Sequence, residues 1–80
     1  MKITMNDDRV FQGTPLQIVQ AMQDIAFGAE GVTVRKYIES VVEAAQRFEG
    51  IALAATGGTD AELAASLISE MIRTGLARRG

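Results

Sequence analysis

Acid–base chemistry in this chain of 80 residues would have to rest on carboxylates, because the sequence contains neither histidine nor cysteine. Their absence removes the usual general base and pH switch, the thiolate nucleophile, and the two commonest ligands of structural zinc. Asp7 and Asp8 form an adjacent acidic pair. They fall where a tight, solvated turn is expected, so nothing there would raise either carboxyl toward neutrality. A calcium loop needs oxygen ligands at regular alternating positions, and this segment lacks them. Thr56-Gly57-Gly58-Thr59-Asp60 is a glycine-bearing loop ahead of an expected helix, a setting in which backbone N–H groups can cradle an anion. It has neither the Lys-Ser/Thr ending of a P-loop nor a full GxGxxG spacing, and Asp60 puts negative charge where a phosphate would sit. The loop therefore reads as a turn and helix cap. No catalytic residue, metal ligand or cofactor is expected, and the chain is not read as an enzyme.

The alternative to chemistry is contact. Eight basic and ten acidic residues leave a formal charge of -2, which gives no electrostatic footprint for nucleic acid or anionic membrane. Tyr37 is the single tyrosine, and large amphipathic side chains are enriched at protein interfaces. The expected contact surface is Tyr37 with its flank Arg35 and Glu39, joined by Gln20 and Gln23 from an amide-rich helix face. Such a surface implies a protein partner or a homodimer. No small-molecule substrate is expected.

These residues need elements to position them. Val32 to Gly50 carries Val34, Ile38, Val41, Ala45 and Phe48 at alternating steps of four and three, widened by Tyr37, Val42 and Ala44. That is the stripe of a core-facing helix over about 33–49, capped by Thr33 and ended by Gly50. Arg35 with Glu39 and Glu43 with Arg47 stand at i,i+4 spacing on its flanks. Thr14-Pro15-Leu16-Gln17 is a capping box that starts a helix of about 15–27, with Gly28 placed to end it. Thr59-Asp60-Ala61-Glu62 starts another, about 60–74, whose inner face is read as Ala61, Ala64, Leu67, Ile68, Met71 and Ile72. Gly75 ends it, leaving Ala77 to Gly80 as a frayed tail.

Met1 to Gln12 alternates apolar and polar residues around Asn6-Asp7-Asp8, as two short strands and a turn do. A three-residue loop, favoured here, pairs Ile3 with Phe11 and buries the larger ring; a two-residue loop would pair Met5 with Val10. Ile51 and Leu53 alternate with alanines, which predicts a third strand near 51–55, with a helical extension as the competing reading. The whole is a single α+β domain over residues 1–80, in the order ββααβα. It is a small antiparallel sheet against three helices.

Asn6 to Gly13 resembles the strand-turn-strand segment of Sm-like RNA-binding proteins, with Asp8 where that family has glycine. A strand followed by two helices also resembles ribbon-helix-helix repressors, which implies DNA contacts from Lys2, Thr4 and Asn6 on a paired ribbon. Ile68 to Arg79 resembles the end of a winged-helix recognition helix, which implies phosphate contacts from Arg73, Arg78 and Arg79. A small DNA-binding regulator is thus the second functional reading, behind a non-catalytic interaction or regulatory module. MKITMNDD lacks the apolar core of a secretion signal, and no apolar run approaches the roughly 20 residues that cross a bilayer, so a cytoplasmic chain is expected.

Overall fold

A computed structural model describes residues 1–26 and 31–80. The chain builds a hairpin of β1 (Lys2–Met5) and β2 (Val10–Gln12), then α1 (Pro15–Ile25), α2 (Val34–Ala44) and a π-helical turn (Ala45–Glu49). After an irregular stretch come α3 (Asp60–Thr74) and a short strand, β3 (Ala77–Arg79). The sheet is antiparallel in the order β2-β1-β3. This is the expected α+β class, but the element order is ββαααβ.

The hairpin has the three-residue loop. Ile3 stands opposite Phe11, the Met5 N–H donates to the Arg9 carbonyl at 2.8 Å, and the Asp8 N–H donates to the Met5 carbonyl at 2.9 Å. Asp8 adopts φ 69, the left-handed corner such a loop requires and a position glycine would fill without strain. Both capping boxes form: Thr14 accepts from the Gln17 N–H, and Thr59 from the Glu62 N–H. The proposed end of α1 at Phe27 and its glycine cap at Gly28 lie outside the described residues.

The third strand is not 51–55. It is the segment read as a frayed tail, held to β1 with Thr4 opposite Arg78 and Met5 opposite Ala77. Gly75, at φ 85, turns the chain out of α3 and back toward the sheet. The free edge of β1 then recruits it by backbone hydrogen bonding, a demand that side-chain hydropathy does not display. Thr4 is buried, and its hydroxyl donates to the Gly80 carbonyl at 2.8 Å.

Residues 51–56 nevertheless alternate as an extended chain does: Leu53 is buried, Ile51 and Ala55 are half-buried, and Ala52, Ala54 and Thr56 are exposed. Their partner is a helix. The Ala54 N–H donates to Glu70 Oε1 at 2.9 Å and the Thr56 N–H to Ser66 Oγ at 2.9 Å, both on α3. Arg73 grips Glu70 through Nε and a terminal nitrogen, each at 2.9 Å, and reaches the Ala52 carbonyl.

The Arg73 hydrogen bonds, helped by the Ala54 N–H, hold the Glu70 carboxyl down at about 2, well below its usual 4.5. Because the folded value lies below the unfolded one, the stabilisation from ionised Glu70 is complete above about pH 4.5 and fades as pH falls toward 2. Glu70→Gln should therefore lower stability at neutral pH and flatten its fall across that acid window. Urea titrations at a series of pH values read both effects.

The core is built from Ile3, Ile18, Val19, Ile38, Leu67, Ile68 and Met71, all essentially inaccessible to solvent. On α3 the inner face is rotated from the expected one, with Leu63 buried and Ala61 exposed. On α2 only Ile38 is fully buried, followed by Ala45 in the π-helical turn. Hydrogen bonding at i→i+5 widens that turn and rotates the side chains beyond it about the helix axis. Phe48 lies within that turn and stands 77% exposed.

Candidate interaction surface

The two edges of α2 border different hollows. Along one edge Tyr37, Val41, Ala44 and Phe48 repeat at steps of four, three and four, and they form one wall of a groove of about 410 Å³. The opposite wall brings Met5 from β1, Met22 from α1 and Met71 from α3. Thioether side chains are polarizable and unbranched, so a groove lined by them adapts to the shape of an apolar occupant. Asp7 and Glu49 stand among the residues at its border. Tyr37 is half-buried, and burial pushes its phenol above the ordinary value, keeping it neutral.

The other edge carries Arg35 and Glu39. The expected ion pair between them does not form. Arg35 instead crosses to the loop before α3, donating to the Gly57 carbonyl at 3.4 Å and the Gly58 carbonyl at 3.4 Å, with Asp60 at 3.9 Å. Glu39 lies 4.0 Å from Lys36, while the expected Glu43–Arg47 pair does form. All are exposed pairs of small energetic weight. Between this edge and residues 51–56 lie hollows of about 320 Å³ and 470 Å³, which share Val42 and Glu43.

The sequence-derived contact set is thus divided. Tyr37 faces the methionine-lined groove, and Arg35 and Glu39 face away from it across α2. Gln20 is exposed on α1, and Gln23 is occupied, its side-chain amide donating to the Val32 carbonyl at 2.7 Å. Residues not in that set, chiefly Phe48 and the methionines Met5, Met22 and Met71, complete the groove. The spacing 37, 41, 44, 48 was a legible signal for one wall. The other wall comes from three separate elements.

Of the residues for the DNA reading, Lys2 on β1 and Arg78 on β3 share one face of the sheet, whereas Arg79, opposite Ile3, belongs to the other face. Asp8 stands 3.7 Å from Arg78. Arg73 is elsewhere, engaged by Glu70, which raises its pKa. The sheet also settles the geometry of a ribbon: β1 has β2 on one edge and β3 on the other, so neither edge is free to pair with β1 of a second copy. Among the described residues no helix is long and apolar enough to cross a membrane, and no group of three acidic side chains gathers where it could hold a metal ion. Comparison with models of known protein families, with curated proteins and with solved structures found no match.

Proposed function

We propose that this domain is a non-catalytic interaction module that self-associates through the edge of α2 bearing Tyr37 and Phe48. The observation that carries the reading is the pairing of a projecting ring with an apolar recess on one surface: Phe48 is 77% exposed and borders the methionine-lined groove. A two-fold contact needs a self-complementary patch, and this one offers a knob and a hole to a second copy. Burying the ring removes a large apolar side chain from water, and the methionines adjust around it. A regulatory role and a cytoplasmic setting belong to the same proposal; a chain without cysteine suits a compartment where disulfides do not form.

Light scattering across a concentration series, up to about a millimolar, tests it. The wild type should reach the mass of a dimer, and Phe48→Asp should remain a monomer with an unchanged circular-dichroism spectrum. A wild type that stays monomeric throughout, or a Phe48→Asp variant that associates equally well, overturns the reading.

A further inference from the structure

The groove beside Phe48 is walled by three thioethers from three elements, and they differ in their access to water. Met71 on α3 is 2% exposed and Met22 on α1 is 7% exposed, so both side chains belong to the core. Met5 on β1 is half-buried. It also lines a second hollow, of about 180 Å³, with Phe11 and Ile25, and so stands where the groove and that hollow meet. Its backbone is fixed on both sides, since it pairs with Ala77 of β3 and its N–H donates to the Arg9 carbonyl at 2.8 Å. A chemical change at this side chain therefore stays in the groove wall, because the central strand holds it there. Met1, 42% exposed, is the other accessible methionine, and it is not part of the groove.

We infer that Met5 is an oxidative modification site, at which hydrogen peroxide converts the thioether to the sulfoxide and so closes the groove to an apolar occupant. The inference rests on the self-association reading, in which that occupant is the Phe48 ring of a second copy. In the step, a sulfur lone pair attacks one peroxide oxygen and the O–O bond breaks. That oxygen stays on sulfur, and the other takes up the protons and leaves as water. Sulfur is oxidised by two electrons and the peroxide is reduced by two. Exposure selects the residue, because oxidation reaches accessible thioethers first. The product changes the wall in kind. A thioether is pliant and apolar, whereas a sulfoxide carries a polar oxygen that water solvates. Seating a phenyl ring against that oxygen strips its water, a cost the thioether does not carry. The change is reversible, since methionine sulfoxide reductases return the thioether.

The test treats the intact protein with dilute hydrogen peroxide and follows each methionine by peptide mass mapping. Met1 and Met5 should gain an oxygen well before Met22 and Met71. Raising the protein concentration through the dimerisation range should slow the reaction at Met5 and leave that at Met1 unchanged, because a docked ring covers only the groove. By light scattering, the oxidised protein should associate about tenfold more weakly or worse, with an unchanged circular-dichroism spectrum. Methionine sulfoxide reductase should restore the original affinity. Met5→Leu should show one dissociation constant before and after peroxide, since leucine has no sulfur while Met1 is still oxidised. Modification of Met22 or Met71 ahead of Met5, a rate at Met5 indifferent to concentration, or a peroxide effect that persists in Met5→Leu would each overturn the inference. An untreated wild type that stays monomeric removes the self-association reading and this inference with it. An untreated dimer that keeps its affinity once Met5 is oxidised removes this inference alone.

Discussion

Replacing Ile38 with alanine should destabilise the domain by about 2–5 kcal/mol, whereas Phe48→Ala should change stability by no more than about 0.5 kcal/mol. The two side chains belong to one continuous helical stripe by sequence spacing, and the larger ring would ordinarily be the costlier loss. In the fold their roles are reversed. Ile38 is 1% exposed and is the only fully buried anchor of α2, with Val41 and Val42 half-buried beside it. Truncating it removes apolar burial and leaves a cavity that the surrounding helices fill only in part. Phe48, within the π-helical turn, has little burial to lose. For a domain this small, a loss of that size is a large fraction of a total stability on the order of 5–15 kcal/mol. Urea denaturation of both variants measures the contrast, and comparable losses for the two would show that the ring packs inward in solution.

Gly57→Ala should cost about 1–3 kcal/mol, which for a domain of this size lowers the melting temperature by roughly 4–8 °C per kcal/mol. A Cβ at Gly57 would lie 2.5 Å from the Leu63 backbone nitrogen and 2.7 Å from the Glu62 carbonyl carbon. Both are main-chain atoms of the first turn of α3, so no rotamer change relieves the clash. The loop would have to move, carrying with it the carbonyl that accepts from Arg35. Gly58 is the internal comparison: its Cβ would approach only Glu62 Oε1, at 3.5 Å, an ordinary contact with a flexible side chain. Gly58→Ala should therefore be much milder, and thermal melts of the pair distinguish a steric requirement at one glycine from a general need for a flexible loop. Of the two glycines that suggested an anion cradle, Gly57 is thus explained by close packing of the loop onto α3.

Local chemistry was legible wherever a residue acts on its own neighbours. Thr14 with Gln17 and Thr59 with Glu62 announce their helix starts, because the side chains involved satisfy backbone N–H groups within one turn. Gly50 and Gly75 mark helix ends by occupying the left-handed region at φ 65 and φ 85. The hairpin register followed from the preference for burying Phe11 opposite Ile3. Helical spacing also places Tyr37 beside the core stripe, and its ring stands half-buried on that edge of α2.

The partner of each segment was decided only in three dimensions. Alternation at residues 51–55 reports an extended chain, and the same pattern serves whether its N–H groups meet a strand or the carboxylate of Glu70 and the hydroxyl of Ser66. Arg35 stands four residues from Glu39, yet the loop carbonyls of Gly57 and Gly58 lie within its reach and take its hydrogen bonds. The strand that completes the sheet, Ala77–Arg79, has one buried apolar residue and no strand signature of its own. It pairs because Gly75 returns the chain to an unfilled backbone edge. By itself, the sequence determined where the helices begin, where those closed by Gly50 and Gly75 end, and that the class is α+β, because those properties depend on contacts within a few residues. Tertiary structure decided the third strand, the exposure of Phe48 and the division of the contact residues between two hollows, because those depend on which surfaces meet when distant segments compete for the same core.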